Sequence, residues 1–158
     1  MSDRTLAIGA EELCYLAISR LQAAYADAVT RRAWSEFDDL FDPDATVDIN
    51  KITEGSFQLT GPRAIADFIS NAIARYDFFE FAILNAVVNI EGAESATGRV
   101  YFVELRQDAE TGMWSEAYAL YQDRYVRRDG RWRFQQRHHQ TLARTGRGQV
   151  FPMPALRF

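Results

Sequence analysis

Few residues of this chain can move a proton, attack a carbon or hold a metal ion. Among its 158 residues there are two histidines, His138 and His139, one cysteine, Cys14, and one lysine, Lys51. A single thiol forms no intramolecular disulfide and no Cys-based zinc or iron–sulfur site. The histidines are adjacent, so on a strand they point to opposite faces, and a three-His metal centre is excluded by count. No Walker, HExxH or EF-hand spacing occurs. The expectation is a site with no metal and no cofactor, working by acid–base chemistry with carboxylates, tyrosines and at most one imidazole.

Strand alternation sorts the candidates. In the run 114–127, Ala119, Tyr121, Asp123 and Tyr125 share one face, while Leu120, Gln122 and Arg124 share the other. Large amphipathic rings such as Tyr121 and Tyr125 suit a cavity wall. Asp123 between them is either a desolvated acid or hydrogen-bond donor, or a salt-bridge partner of Arg137 on the next strand. In the run 131–141, strict alternation puts Trp132, Phe134, Gln136 and His138 on one face and Arg133, Gln135, Arg137 and His139 on the other. With the aromatic pair facing inward, His138 is the imidazole available as a base, or a buried ring tied to a backbone carbonyl or a tyrosine. His139 then faces solvent or a dimer contact.

Tyr25 lies on the inward stripe of a helix and can hydrogen-bond either a substrate or Asp123. Asp48 is a second candidate base. Asn85, inside an apolar run, is a polar anchor for a ligand or a partner for backbone. Phe57, Phe68, Phe79, Phe81, Phe102 and Phe134 are core, some of it pocket wall. Asp27 is read as a surface residue, and Asp42 and Asp44 as turn residues beside Pro43.

The elements that must position these groups follow from periodicity. Residues 11–32 carry helical spacing through Leu13, Leu16, Ala17, Leu21, Ala24, Tyr25 and Ala28, with acids at the start and arginines at the end. A short helix is expected over 33–41, strands over 45–50 and 55–60, and a third helix opening at Gly61-Pro62 and ending near Tyr76. Four long strands follow, 79–90, 96–107, 114–127 and 131–141, with connectors short enough for hairpins. This order predicts an α+β fold, a cone-shaped curved antiparallel sheet of about six strands with three helices on its concave face. The domain is placed at residues 11–142, between an N-terminal arm, 1–10, and a C-terminal tail, 143–158. A pocket left between sheet and helices is where an excess of aromatics belongs; the chain has 11 Phe, 7 Tyr and 3 Trp.

The formal net charge of −4 is unevenly spread. Residues 124–158 hold nine arginines and one acid, whereas residues 1–123 hold 9 basic and 21 acidic residues. Pairing within one sheet accounts for this better than nucleic acid does, so no nucleic-acid partner is expected. No run approaches the ~20 apolar residues of a membrane helix and no targeting segment is visible, so the expectation is a cytoplasmic protein with no membrane partner.

Several short motifs, in order, resemble one family. They are Tyr25-Ala26-Asp27-Ala28, Trp34, Leu40-Phe41-Asp42-Pro43-Asp44-Ala45, Gly61 with Ala64-Ile65, Asn85, and Gly98-Arg99. Tyr121-Gln122-Asp123-Arg124-Tyr125 and Asp129-Gly130-Arg131-Trp132-Arg133-Phe134 with Arg137 complete the set. Together they are similar to SnoaL-like members of the nuclear-transport-factor-2-like superfamily. Scytalone-dehydratase-like and dehydrochlorinase-like members use an Asp after the first helix and a His on the first long strand as a paired base. Those positions are Thr30 and Phe81 here, so that dyad is lost. Ketosteroid-isomerase-like members use a Tyr and an Asp as oxyanion donors, which fall on Tyr25 and Asp123. Their base falls on Ile49, one residue after Asp48.

The resemblance implies a small hydrophobic ligand, cyclic or aromatic, and a homodimer paired through convex sheet faces. The leading expectation is a cofactor-independent isomerase, dehydratase or cyclase, with Tyr25 and Asp123 as donors and His138 or Asp48 as proton shuttle. Phe57, Phe68, Phe81, Asn85, Tyr121, Tyr125, Trp132, Phe134 and Arg137 would contact the ligand. The alternative is a non-catalytic ligand-binding or assembly module.

Overall fold

A computed structural model describes residues 9–51 and 55–158. The expected arm, 1–10, therefore lies almost wholly outside the described residues. Helix α1 spans Ala10–Arg31. Its buried face is Ile18, Leu21, Gln22, Tyr25, Ala28 and Val29, a 3.6-residue stripe. This differs from the expected stripe at Leu13, Leu16 and Ala24, which are exposed, while Cys14 and Ala17 pack against the core in the first turns. Arg32, in the left-handed region at φ 59°, ends the helix.

A 3-10 turn, Trp34–Glu36, leads into the four-residue helix α2, Phe37–Leu40. Strand β1 is Phe41–Lys51 and β2 is Gly55–Thr60. Gly61 then turns the chain at φ 85°, a conformation that favours glycine, and its N–H donates to the Ala45 carbonyl at 2.8 Å. Pro62 opens α3, Pro62–Ile73. The meander follows as β3 Tyr76–Ile90, β4 Ser95–Asp108, β5 Trp114–Arg128 and β6 Arg131–Arg144, and a short β7, Gln149–Val150, returns onto β6.

The sheet order is β2-β1-β6-β5-β4-β3. All neighbours are antiparallel except β1 and β6, which run parallel. The expectation of a wholly antiparallel sheet is corrected at that one joint. The first hairpin and the meander are each antiparallel, and they meet where β1 lies along β6. One core fills the space between the sheet and the helices. Its closed end is packed by Phe41, Tyr125 and Phe134, each 0% exposed. The C-terminal tail crosses the opposite face. There the buried Gln122 donates to the Ala155 carbonyl at 3.1 Å and accepts from the Arg157 N–H at 2.7 Å.

Candidate active site

β-Bulges decide which side chains reach the pocket. On β3 the register moves from Ile83↔Phe102 to Asn85↔Tyr101, leaving Leu84 unpaired. On β6 it moves from Phe134↔Tyr125 to Gln136↔Arg124, leaving Gln135 unpaired, and from Thr141↔Ala119 to Ala143↔Tyr118, leaving Leu142 unpaired. An extra residue reverses the phase of everything beyond it. Phe79, Phe81 and Ile83 face inward and Asn85 is turned out to solvent. Phe134 faces inward, and so do Arg137, His139, Thr141 and Arg144.

The expected faces of the two histidines are thereby exchanged. His139 lines the cavity, and His138 lies on the outer face, its Nδ1 2.7 Å from the Asp48 carboxylate. Asp48 also accepts from Gln58 Nε2 at 2.8 Å. With Asn50, Ser56 and Arg157 these residues line a second, more polar hollow of about 430 Å³. Burial, with Arg157 nearby, holds the His138 imidazole below its ordinary pKa although Asp48 acts the other way. Asp48 and His138 are brought together, but on the side of the sheet away from Tyr25.

The main cavity is a smaller, mostly apolar space of about 210 Å³. It lies between α1, α3 and the sheet, lined by Val29, Ile65, Phe68, Ile69, Ile73 and Phe81 among others. The sheet makes room because the residues at its centre are small. Cross-strand partners run Phe81, Glu104, Ala117, Arg144 in one row and Ile83, Phe102, Ala119, Thr141 in the next. Strands are about 4.8 Å apart, so Glu104 and Arg144 face each other across Ala117 with Cα atoms roughly 10 Å apart.

Deeper in the cavity, the Tyr25 and Tyr121 hydroxyls are 3.1 Å apart. Burial raises the pKa of both, so each keeps its proton. One hydroxyl donates to the other, and the pair retains one further hydrogen to offer a ligand oxygen. Behind them Arg137 grips Asp123 through Nε–Oδ1 at 2.7 Å and Nη2–Oδ2 at 2.8 Å. The guanidinium carbon lies 3.8 Å from the Tyr121 ring centre, 4.1 Å from Phe134 and 4.4 Å from Tyr25. Burial alone would favour the neutral form of Arg137, but the charge and hydrogen bonds of Asp123 outweigh it and raise its pKa. Tyr125 donates to Asp123 at 3.0 Å and accepts from Gln22 at 2.7 Å. Asp123, Tyr125, Phe134 and Trp132 are all buried and do not line the cavity. Of the expected ligand contacts, Phe68, Phe81, Tyr121 and Arg137 do line it. Phe57 packs on Phe68 at the edge of the second hollow.

Two titratable groups that sequence reasoning does not assign to the site line the cavity. Glu104 is held above the ordinary carboxylate pKa by burial, against the pull of Arg106 and Arg144. His139 is pushed down to about 4 by burial and by Arg144 and Arg137, so it is neutral at pH 7. For Glu104 the signal was present: it stands two residues after Phe102, in the phase of a buried strand face. For His139 the signal was hidden by the bulge at Gln135. Among the described residues no group of three or more His, Cys, Asp and Glu is placed to hold a metal. Thr30 and Phe81 are also neighbours, and the Phe81 N–H donates to Thr30 Oγ1 at 3.0 Å.

A mostly apolar pocket with a few converging polar groups, on a cone of sheet and helix, defines a small-molecule-binding domain of the α+β type. The chain belongs to the SnoaL-like domain family, whose model matches residues 12–138. No curated protein matches the sequence. Among solved structures the chain is similar to LinA, with a TM-score of 0.76 and 23% identity over 92% of this chain and 97% of that one. It is similar to the hexachlorocyclohexane dehydrochlorinase LinA-type3 of Novosphingobium barchaimii LL02, with a TM-score of 0.75 and 22% identity over 92% and 98%. A candidate scytalone dehydratase from Novosphingobium aromaticivorans DSM 12444 matches with a TM-score of 0.75 and 18% identity over 93% of each chain. At these identities the likeness establishes the fold.

Proposed function

We propose that this chain is a cofactor-independent lyase or isomerase that moves a proton on a small cyclic substrate held in the main cavity. Glu104 is the base and the Tyr25–Tyr121 pair is the hydrogen-bond donor to the oxygen that gains charge. The observation that carries this reading is the carboxyl of Glu104, lining an apolar cavity with its pKa raised. A base is most effective when its pKa approaches the working pH, and burial moves Glu104 in that direction. Glu104, Tyr25 and Tyr121 line the same cavity, so base and donor face one bound molecule. His139, neutral at pH 7, can accept or pass a proton. This assignment replaces His138 and Asp48, which lie across the sheet, and replaces Asp123, whose two oxygens are held by Arg137 and Tyr125. The dehydratase and dehydrochlorinase names among the structural neighbours favour the same class of chemistry.

The test follows exchange of hydrogen for deuterium next to a carbonyl, which reports proton abstraction whatever the product. Monocyclic enolisable ketones, including 3-hydroxycyclohexanone, are incubated in D₂O and read by NMR. Exchange or loss of water is expected, and Glu104→Gln should slow it on the order of 10²–10⁴-fold. Tyr121→Phe should cost on the order of 10²–10³-fold. An unchanged rate in Glu104→Gln would refute the assignment. A second reading, ligand binding without turnover, draws on Thr30 and Phe81 standing where relatives carry their dyad; it predicts binding with no exchange at all. The homodimer stays part of the proposal. Val87 and Tyr118 on the outer face are 44% and 36% exposed, and sedimentation of a Val87→Glu, Tyr118→Arg variant as a monomer would support it.

A further inference from the structure

The cavity carries more positive charge than its own carboxylates neutralise. Arg137 is matched by Asp123. Arg106 is matched by Glu104, at 3.6 Å. Arg144 also lines the cavity, across Ala117 from Glu104, and forms no ion pair among the described residues. Two further donors have no hydrogen-bond partner among the described residues. They are Nη1 of Arg137, a residue only 2% exposed, and Nε of Arg106. A buried guanidinium N–H left unpaired costs free energy, so its persistence at a cavity wall marks a place for an acceptor.

We infer that the ligand is a monocyclic organic acid whose carboxylate is held by Arg144, with Arg106 beside it, and whose ring or ring oxygen reaches inward toward Arg137 and the tyrosine pair. The size limit comes from the cavity. An apolar cavity of about 150 Å³ accommodates benzene, so about 210 Å³ suits one substituted ring better than a fused polycycle. The polarity comes from the layout. Arg144 pairs by register with Ala117 at one level of the cone, while Arg137 pairs with Asp123 at a deeper one. The two guanidinium groups thus serve different ends of one ligand. The same cavity is lined by rings and aliphatic side chains, Phe81, Phe68, Ile65 and Ile69, which suit the apolar body. Arginine suits the outer position because its planar fork takes both oxygens of a carboxylate at once.

This inference rests on the main cavity being the ligand site, as in the proposed function, but it does not need Glu104 to be a base. The probes are 4-oxocyclohexanecarboxylate, its methyl ester, and cyclohexanone, titrated by calorimetry into the full chain at low salt. The acid should bind at least tenfold more tightly than the ester. Arg144→Gln should remove that preference by bringing acid binding down toward that of the ester, and an unchanged near-ultraviolet circular dichroism spectrum shows that the variant is folded. Arg144→Lys should keep part of the preference, because the charge remains and the fork is lost. Equal binding of acid and ester, unchanged acid binding in Arg144→Gln, or no binding of any acid probe would overturn the inference. Acid binding that depends on Arg144 without any deuterium exchange would leave this inference standing and remove the proposed catalysis. Exchange on the neutral ketones with no preference for the acid would do the reverse.

Discussion

Asp123 separates two accounts of this protein, and Asp123→Asn decides between them. If Asp123 donated to a substrate, its amide would cost rate and little stability. The geometry makes it a structural ion instead, 0% exposed and bound through both oxygens to Arg137, itself 2% exposed. Removing one partner of such a pair leaves a buried charge uncompensated, which costs about 3–5 kcal/mol. In a domain of this size 1 kcal/mol moves the melting temperature by about 2–4 °C, so Asp123→Asn should lower Tm by roughly 10–15 °C. The amide also leaves a single oxygen for the three donors that Arg137 and Tyr125 aim at this carboxylate, which keeps the figure toward the upper end. The double variant Asp123→Leu, Arg137→Met removes both charges and should recover much of the loss, with a coupling of about 2 kcal/mol or more in urea unfolding. A drop of less than 3 °C in Asp123→Asn, or a double variant as unstable as the sum of the singles, would refute the structural account. If deuterium exchange were also abolished in a fully folded Asp123→Asn, the catalytic account would be restored.

Three further outcomes follow from the same geometry. Gly98→Ala should destabilise by about 1–3 kcal/mol, measured by urea unfolding, because its Cβ would stand 2.9 Å from the Val87 carbonyl oxygen and 3.1 Å from the Tyr125 ring. His139, with a pKa near 4 when folded against about 6.5 unfolded, binds its proton more readily in the unfolded chain. Stability should therefore fall as pH drops from about 6.5 toward 4, by up to ~3 kcal/mol, and His139→Gln should flatten that slope in pH-dependent unfolding. Glu104 runs the other way. Its pKa is raised on folding, so the folded state is favoured below the unfolded carboxyl pKa of about 4.3 and loses that advantage as pH rises through the folded value. Glu104→Gln should raise Tm at pH 7 and make little difference at pH 3.5, and an unchanged or lowered Tm at pH 7 would contradict the reading of Glu104 as a destabilising functional carboxylate.

Most of the fold is legible in the sequence because hydrophobic period and turn chemistry agree there. The hairpin connectors and the Gly61-Pro62 helix start coincide with the observed boundaries, since glycine and proline act through local backbone geometry. The site is less legible for one physical reason. A strand assigns side chains to faces by parity, and parity survives only until a bulge. Read without bulges, β6 sends His138 inward together with Phe134; with Gln135 extruded, Phe134 and Arg137 share the core and His139 follows them. Leu84 does the same to Asn85 on β3. Nothing in the composition of either strand announces the extra residue. The parity of two charged groups offered a partial warning. Strict alternation set Asp123 and Arg137 on opposite faces although pairing them was the obvious way to bury either, and satisfying both conditions requires an odd insertion between Phe134 and Arg137.

That insertion also explains why charge and cavity coincide. Bringing Arg137 inward to neutralise Asp123 brings His139 and Thr141 inward with it. The second bulge, at Leu142, then keeps Arg144 on the same face opposite Glu104. Arg137, His139 and Thr141, which strict alternation would have sent to the outer surface, therefore join Arg144 on the cavity side, beside the small residues Ala117 and Ala119. A polar end is thus built onto an otherwise apolar cone by two extra residues in one strand. Deleting Gln135 should accordingly do more than shorten β6. It should return Arg137 to the outer face and leave Asp123 buried without its partner, and the chain should unfold rather than merely lose ligand affinity. A folded Gln135-deletion variant with an intact near-ultraviolet circular dichroism spectrum would contradict this coupling of bulge, ion pair and site.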